Sequence, residues 1–460
     1  MNRDRRSLLG IPVFGTAIAL ALYLPLSWHP YQTSLWGMET TTLVAALGAG
    51  AGLIYLSLPS AIDRTDLAHR WLLVGVLVGL AARLCLFWSD PILENDFFRY
   101  LWDGGVLAIG ENPYRWSPAD VLSGVAPTSL QTLASDAGGL VAQIGYPDLR
   151  TIYPPLATLF FGIAHLADPW GFTGLRSLYL IADCSVLVFL FGVLRHLDRS
   201  PVWVLVYWLN PLAVQMVYNA LHMDVLLLPF LTAALLYAIR RQPFATAIFL
   251  ILAAGIKLWP ALLAIPLLRF ASANGRVFFT TLFLFGIGFA FVVAPQVLSG
   301  PADTSGLIAF TGEWRKNEVM FGFVVTSVNA ILELFDFVRV DAERLGRLAV
   351  AGGLMLLSLW PVKSLDERGL VCRALVIVAA LFIFAPSPYP WYFLWLLPFL
   401  TAIPNFALLA WTATLPLYQL RFHPAFIENG LAFENSIVWV EHGIPVLLLV
   451  ITVLFRLARR

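Results

Sequence analysis

The sequence predicts an all-α polytopic membrane protein, and two observations carry this prediction. First, 59% of the 460 residues are hydrophobic and 12% are charged, whereas a soluble domain has about 25% charged residues. Second, apolar runs of roughly 17–25 residues recur along the chain, and each can cross about 30 Å of hydrocarbon as a helix. Only helices and closed barrels satisfy their backbone in lipid, and uninterrupted runs indicate helices. We therefore expect a transmembrane helical bundle of about 12–14 spans.

Basic residues orient these spans, because Lys and Arg concentrate in cytoplasmic loops. The amino terminus MNRDRR and the carboxyl-terminal RLARR are both placed inside. The run 152–166 is expected to lie at the membrane interface or to enter the membrane and return on the same side. If it crossed the membrane, the arginines that follow would not all lie on the cytoplasmic side. A hairpin break is expected in AAGIKLWPALLAIP (253–266), because Pro260 lacks an N–H and disfavours helix at Trp259. The predicted spans lie near 7–27, 40–58, 71–88, 175–194, 201–217, 223–239, 276–297, 346–361, 370–385, 391–402, 405–419 and 437–456.

This topology divides the chain into five regions. Transmembrane helices occupy 1–88, a first outer segment with short interfacial helices occupies 89–174, and a transmembrane core module occupies 175–297. A second outer segment follows at 298–345, and transmembrane helices complete the chain at 346–460. We expect no soluble domain.

Charged residues at a membrane edge are costly and are therefore candidates for function. The stretch ENDFFRYLWDGGVLAIGENPYRWSP (94–118) places Asp96, Arg99 and Asp103 on one face of a predicted helix, at i, i+3 and i+7. The simpler explanation is an ion-paired interfacial helix that anchors the outer segment.

Other unusual polar groups stand at the outer ends of separate spans. They are His222 and Asp224 in NALHMD, Lys257 at the hairpin tip, and Tyr389, Trp391 and Tyr392 in PSPYPWY. Each has a structural alternative: Asp caps helices, Lys snorkels to the interface, and Tyr and Trp line bilayer interfaces. Their convergence on one membrane face favours a functional site.

The residue types in this set suit a reaction on a phosphate-linked lipid. A carboxylate can act as general base on an acceptor hydroxyl, and Lys and Arg bind phosphate. Aromatic surfaces suit a sugar ring or an isoprenoid tail. The net charge of +1 excludes bulk attraction to nucleic acid, and the three cysteines have no metal-ligand spacing.

Four segments resemble a known family, in the order that the family keeps. The residues ND–RYLWDG–G–NPY (95–114), followed by YPPL (153–156), resemble the first outer loop of polyprenyl-phosphate-dependent glycosyltransferases of the GT-C superfamily. The nearest similarity is to the glycosyltransferase 87 and bacterial mannosyltransferase type. The segments 208–231, 253–266 and 387–400 are similar to later parts of that family. Three departures are the two extra spans predicted before this loop, which the superfamily usually places after its first span, Leu-His at 221–222, where Gly-His is more usual, and END at 94–96, where the family has Asp-x-Asp.

The resemblance implies roles for individual residues. Asp96 would be the catalytic base, a role that Glu94 could share or replace, and Arg99, His222 and Lys257 would hold the donor phosphate. Some family members use a divalent cation, Mg²⁺ or Mn²⁺, and many need none, so no metal ligand is assigned. The sugar and acceptor pocket would be shaped by Glu94, Asp103, Asn112, Tyr114, Tyr153, Asp224, Tyr389, Trp391 and Tyr392.

The expected function is therefore a membrane glycosyltransferase in a bacterial cytoplasmic (inner) membrane, with its site facing the periplasm or exterior. It would move mannose, or another hexose or a pentose, from a β-linked polyprenyl-phosphate donor to a lipid- or polymer-linked glycan, with inversion. The main alternative is a secondary transporter or a flippase of lipid-linked sugars, which would place its site at the bilayer midplane between repeated halves. A non-catalytic scaffold is a third reading.

Overall fold

Helices make up the regular structure of the described residues, which confirms the predicted all-α class. The computed structural model describes residues 13, 15–18, 21, 38–63, 68–299, 304–336, 340–361 and 366–458. The predicted first span, 7–27, and the basic segment before it lie outside the described residues apart from isolated positions. Residues 64–67, between the predicted spans 40–58 and 71–88, also lie outside them.

The α-helices, in chain order, are Met38–Tyr55, Leu58–Asp63, Ala68–Phe87, Asp96–Ala108, Pro118–Leu122, Thr128–Asp136, Pro155–Ala167, Thr173–His196, Val204–Trp208, Pro211–Val214, Leu228–Ile239, Pro243–Ala254, Ala264–Ala271, Gly275–Leu298, Gly306–Gly312, Met320–Leu334, Ala342–Leu359, Glu367–Phe384, Leu397–Ala402, Phe406–Leu409, Trp411–Thr414, Pro424–Ile427 and Gly430–Ala458. Short 3₁₀ segments lie between them at Leu140–Gln143, Pro201–Trp203, Met223–Leu227, Trp259–Leu263, Pro390–Leu396 and Leu415–Phe422, and one π-helical turn lies at Gln215–Asn219.

Several helices have the length and apolar composition of membrane spans. Among the described residues four qualify singly, Thr40–Asp63, Thr173–His196, Gly275–Leu298 and Gly430–Ala458, and one bent pair would make a fifth. This agrees with a polytopic membrane protein.

Other predicted spans are built from shorter helical pieces, and proline explains the breaks. The predicted span 391–402 consists of the 3₁₀ segment Pro390–Leu396 and the helix Leu397–Ala402, each with a proline in its first turn. Proline fits that position because its fixed φ suits a helix start and no N–H is needed there.

The break predicted near Lys257 is confirmed. The helix Pro243–Ala254 ends before Lys257, and the chain resumes as the 3₁₀ segment Trp259–Leu263 and the helix Ala264–Ala271. The run predicted not to cross forms the helix Pro155–Ala167, with 13 residues. At 1.5 Å per residue it is about 20 Å long, which is shorter than the hydrocarbon layer.

The chain separates into two compact units. One comprises residues 1–93, 190–219 and 315–460, and the other comprises 94–189 and 220–314. Asp96, Arg99, Asp103, His222, Asp224 and Lys257 all belong to the second of these, which we call the site unit. Tyr389, Trp391 and Tyr392 belong to the other, which we call the flanking unit.

Within the site unit, the helix Asp96–Ala108 packs closely against Pro155–Ala167. A Cβ on Gly104 would lie 2.4 Å from the backbone oxygen of Phe161, so this position requires glycine. The ring of Phe161 stacks on Tyr100, with centroids 4.8 Å apart. This contact fixes the helix on which the first candidate residues lie.

Within the flanking unit, a buried arginine is satisfied by backbone and aromatic groups. Arg83, which falls inside a predicted span, donates hydrogen bonds to the carbonyls of Gly79 and Trp208 at 2.9 and 2.8 Å. Its guanidinium also lies 3.4 Å from the centroid of the Trp208 ring. A buried charge is tolerated when it is hydrogen-bonded in this way. These contacts give Arg83 a structural role.

Candidate functional site

The helix Asp96–Ala108 forms where the sequence predicts an interfacial helix. Asp96 lies in its first turn, where the helix dipole favours a carboxylate. Arg99 and Asp103 follow on the same face, and both are buried. The helix is not among the candidate spans found in the described part of the chain.

Asp96 meets His222 although 126 positions separate them. Its Oδ2 lies 3.7 Å from Nδ1 of His222; the histidine side chain is fully buried, whereas 39% of the aspartate side chain is exposed. Leu221, directly before the histidine, has a left-handed backbone with φ of 59°. The hydroxyl of Tyr179 donates a 3.1 Å hydrogen bond to the Leu221 carbonyl and holds this turn.

Asp224 and Lys257 form an ion pair beside these two residues. Nζ of Lys257 lies 2.6 Å from Oδ1 of Asp224, with side-chain exposures of 17% and 1%. Asp224 comes from the 3₁₀ segment Met223–Leu227, and Lys257 comes from the break in the predicted hairpin. Both groups are close enough to Asp96 to influence its pKa.

The protein environment raises the pKa values of both carboxyl groups of this helix toward neutral pH. Surrounding protein atoms desolvate Asp96, although part of its side chain stays open, and this raises its pKa to about 6; Lys257 and Arg99 oppose the rise and Asp224 adds to it. Burial likewise raises the pKa of Asp103 to about 7, against the effects of Arg99 and of a hydrogen bond with Thr151. A carboxyl group whose pKa lies close to physiological pH can both take up and release a proton there.

Arg99 uses its guanidinium to hold the chain that follows in the first outer segment. It donates hydrogen bonds to the carbonyls of Leu149, Gly145 and Tyr146 at 3.1, 3.3 and 3.0 Å. These contacts favour an anchoring role, and phosphate binding by Arg99 stays a prediction.

Asn112, Tyr114 and Tyr153 build the same segment through hydrogen bonds. The side-chain oxygen of Asn112 accepts from the Tyr114 N–H at 2.9 Å, and the Tyr114 hydroxyl donates to the Tyr153 carbonyl at 2.8 Å. The Tyr153 ring packs edge-on against Tyr100, with centroids 5.1 Å apart. These contacts order the chain between residues 112 and 153, and the contact of these residues with a sugar stays a prediction.

Arg150 is a framework residue that the sequence reading missed. It donates to the Tyr114 carbonyl at 2.6 Å, to the Thr304 hydroxyl at 3.0 Å and to the Ser299 carbonyl. It therefore joins the first outer segment to the start of the second. The available signal was its place three residues before YPPL.

The remaining candidates have different environments. Glu94 is buried, with 5% of its surface exposed. Tyr389, Trp391 and Tyr392 are also buried and pack on one another in the flanking unit, where Tyr389 stacks on Trp391 at 4.6 Å. Their part in a sugar pocket stays a prediction.

The donor set around Asp224 does not suit a divalent cation. The carboxylate of Asp224 is already paired with the ammonium of Lys257, whose Nζ lies 2.6 Å from Oδ1. Within the described part of the chain, no group of three or more His, Cys, Asp and Glu side chains is arranged to hold a metal. We therefore assign no step to Mg²⁺ or Mn²⁺.

Comparison with known proteins identifies one family. A family model described as alpha-(1->6)-mannopyranosyltransferase, N-terminal domain, matches residues 16–274, which is more than half of the chain. The match includes Asp96, His222, Asp224 and Lys257 and ends before Tyr389. No protein of curated function and no solved structure matches the chain.

Proposed function

Because the chain belongs to the alpha-(1->6)-mannopyranosyltransferase family, we propose that it transfers mannose from a polyprenyl-phosphate donor to a glycan hydroxyl. The family is of the GT-C mannosyltransferase type, so the match confirms the resemblance found in the sequence. The observation that carries the finer proposal is the meeting of Asp96, His222, Asp224 and Lys257, which come from three separate segments.

In the proposed reaction Asp96 accepts the proton of the acceptor hydroxyl. The acceptor oxygen then forms a bond to the anomeric carbon of mannose, while the bond from that carbon to the phosphate oxygen breaks. The electron pair leaves with the polyprenyl phosphate. A single displacement inverts a β-linked donor and yields an α-mannoside, which agrees with the linkage in the family's description.

Exposure supports Asp96 over Glu94 as the base. Asp96 keeps 39% of its side chain exposed, whereas Glu94 keeps 5% of its surface exposed, and a base must reach the hydroxyl it deprotonates. His222, fully buried at 3.7 Å from Asp96, is better suited to orienting that carboxylate than to binding phosphate.

Lys257 is the residue best suited to the leaving phosphate. Asp224 holds its ammonium at 2.6 Å, and 17% of its side chain remains exposed. A preorganised cation stabilises the negative charge that develops on the leaving group. The apolar helices on either side of Lys257, Pro243–Ala254 and Ala264–Ala271, suit a donor with an isoprenoid tail.

We further propose that the site faces the extracytoplasmic side of a bacterial inner membrane. The support is the positive-inside reading of the basic terminal segments, which leaves residues 89–174 outside. No nucleotide is available on that side, so the sugar would have to be activated on a lipid.

The test is transfer of radiolabelled mannose from polyprenyl-phosphate mannose by the purified protein, with membrane extract as acceptor. Asp96→Asn should abolish transfer and keep the elution profile and thermal midpoint of the wild type. Asp136→Asn is the matched control, because Asp136 is an exposed residue of the same outer segment. Full transfer by Asp96→Asn would refute its role as base, and flipping of the lipid without transfer would favour the transporter alternative.

A further inference from the structure

The flanking unit contains a polar cavity within its own residues. It has a volume of about 500 Å³ and lies between the segment 315–326 and the first turns of Gly430–Ala458. This volume falls within the ~300–1,000 Å³ range of small-molecule sites. The polar and aromatic side chains that line it are those of Arg315, Lys316, Glu318, Phe323, Thr326, Glu434, Asn435 and Trp439.

The length of the helix Gly430–Ala458 puts the cavity at the level of the lipid headgroups. Its 29 residues extend about 44 Å at 1.5 Å per residue, and a bilayer with its headgroup layers is ~40–45 Å thick. The predicted span at 437–456 is enough to cross the ~30 Å of hydrocarbon. The turns before it carry Leu431, Glu434 and Asn435, so these cavity residues lie among the headgroups.

Arg315 shares its charge with two carboxylates. Its Nε donates to Oε1 of Glu318 at 2.8 Å, and its Nη1 lies 3.8 Å from Oε2 of Glu343. Glu343 is in turn paired with Arg347, whose Nη2 lies 2.6 Å from Oε1. Oε2 of Glu318 accepts from the backbone N–H of Gly322 at 2.5 Å. These groups form an ion-pair network in the wall of the cavity.

The other two charged groups of the lining are Lys316 and Glu434, one positive and one negative. The backbone N–H of Lys316 donates to the Pro386 carbonyl at 3.0 Å, which fixes the base of its side chain. Oε1 of Glu434 accepts a long hydrogen bond of 3.5 Å from the backbone N–H of Asn317. Arg421 also attracts Glu434 electrostatically.

The charges of the lining and of the groups paired with it are close to balance. The basic members are Arg315, Lys316, Arg347 and Arg421, and the acidic members are Glu318, Glu343 and Glu434. A ligand with only negative groups would meet the lining carboxylates, and one with only positive groups would meet the lining cations. A ligand that carries one charge of each sign matches this surface.

Two aromatic rings give the cavity an apolar edge. Phe323 and Trp439 meet edge to face with centroids 5.7 Å apart, and 51% and 48% of their surfaces are exposed. Leu431, which also lines the cavity, is exposed as well. Tryptophan is enriched at bilayer interfaces, and its ring attracts an ammonium group. The edge therefore suits both a cationic headgroup and the start of an acyl chain.

The wall of the cavity is preorganised by a buried amide. Asn317 Nδ2 donates to Oε1 of Glu441 at 2.9 Å and lies 3.2 Å from Nε2 of His442. Asn317 is 1% exposed and has a left-handed φ of 58°, which asparagine tolerates. These contacts hold Arg315 and Lys316 in place against the helix that carries Glu434.

We propose that this cavity binds the headgroup of a zwitterionic phospholipid that has a primary ammonium, a phosphatidylethanolamine. Its phosphate accepts hydrogen bonds from Lys316, Thr326 and Asn435, and its ammonium donates to Glu434 beside the Trp439 ring. Its acyl chains leave the cavity over the exposed apolar side chains at the edge. This lipid site is independent of the proposed function, because the bound lipid is retained and not consumed.

The first experiment measures lipid binding with no sugar donor present. The purified full chain in detergent is titrated with phosphatidylethanolamine, phosphatidylcholine and phosphatidylglycerol in turn, and native mass spectrometry counts the bound lipids. Wild type should bind one phosphatidylethanolamine about tenfold more tightly than either other lipid. The reason is that a choline group has no N–H to donate to Glu434, and a glycerol headgroup has no positive charge.

Substitutions in the cavity should weaken this binding, and matched substitutions outside it should not. Lys316→Gln and Glu434→Gln should each weaken it about tenfold, through loss of a charged hydrogen bond, and Trp439→Ala about fivefold. Arg344→Gln and Trp360→Ala are the controls, because both residues are exposed in the same unit. Thermal midpoints identify a variant that fails to fold, and the nearly isosteric Glu434→Gln keeps the test valid if another variant does.

The second experiment reverses the lipid preference. Glu434→Lys replaces the partner of the ammonium with a second cation beside Lys316, so this variant should bind phosphatidylglycerol more tightly than phosphatidylethanolamine. Equal binding of the three lipids by wild type, or tighter binding of phosphatidylglycerol, would overturn the proposal. Equal weakening by Lys316→Gln and Arg344→Gln would overturn it too, since the lipid would then be held by the general charge of the surface.

Discussion

The ion pair of Lys257 with Asp224 predicts unequal costs for removing its two members. Asp224 is 1% exposed, and Nζ of Lys257 lies 2.6 Å away. Lys257→Met leaves a carboxylate buried without its cation, and breaking a buried pair in this way costs about 3–5 kcal/mol. Asp224→Asn leaves the Lys257 ammonium without this carboxylate. Because 17% of the lysine side chain is exposed, the ammonium can reach water. We expect that cost to be lower, about 1–3 kcal/mol.

The double variant shows whether the two residues act as a pair. Asp224→Asn combined with Lys257→Met leaves no unpaired charge, so it should be more stable than Lys257→Met alone. The coupling energy of the cycle should be about 2–3 kcal/mol. Thermal unfolding in detergent gives the order of the midpoints: wild type, then Asp224→Asn, with Lys257→Met lowest and the double variant above it.

The control is a pair with the same distance and a more exposed carboxylate. Nη2 of Arg347 lies 2.6 Å from Oε1 of Glu343, with side-chain exposures of 11% and 35%. Helix-surface pairs of this i, i+4 type contribute about 0.3–0.5 kcal/mol. Because the Glu343 carboxylate can reach water, the equivalent cycle should show less coupling. Comparable coupling in both cycles would refute the argument that burial sets the magnitude.

Activity separates the structural role of this pair from its chemical role. The double variant should recover stability and remain inactive, because it lacks the cation proposed for the leaving phosphate. Transfer by the double variant at the wild-type rate would refute the role of Lys257 in phosphate binding.

Three other predictions follow from single contacts. The transfer rate should rise as pH passes about 6, because Asp96 is protonated below its pKa and can accept a proton only above it; a flat profile from pH 5 to 8 would contradict this role. Asn317→Gly keeps the left-handed backbone and loses the bond to Glu441, so it should lower stability by about 1–3 kcal/mol, and an unchanged thermal midpoint would show that only the backbone matters. Arg99→Lys should speed proteolysis near residues 145–149, because lysine cannot replace the planar fork that holds three carbonyls, whereas the exposed Arg115→Lys should not.

The fold class could be predicted from the sequence because hydropathy acts over whole segments. Apolar composition alone indicates helices in a membrane, and Pro260 marks the break beside Lys257. The number of uninterrupted spans could not be predicted in the same way. Pro390 and Pro398 divide an apolar run into a 3₁₀ segment and a short helix, although the hydropathy of the run is continuous.

The residue types of the candidate site could be predicted, but not their partners. Asp96, Asp224 and Lys257 are conspicuous because charge is scarce in this chain. That Lys257 pairs with Asp224, 33 positions away, depends on how the broken helices pack. The contacts of Arg99 and two of the three contacts of Arg150 go to backbone carbonyls. Every residue has a carbonyl, so no sequence pattern points to these contacts.

Leu221 offers a separate test of the turn that positions His222. Its φ is 59°, and the family more usually has glycine at this position. A left-handed backbone costs a non-glycine residue about 1–2 kcal/mol. Leu221 is fully buried, so both Leu221→Ala and Leu221→Gly lose the packing of the side chain. Glycine alone also removes the backbone strain. We expect Leu221→Gly to be more stable than Leu221→Ala by about 1 kcal/mol, the reverse of the order found within helices, and a higher thermal midpoint for Leu221→Ala would show that this turn is not strained.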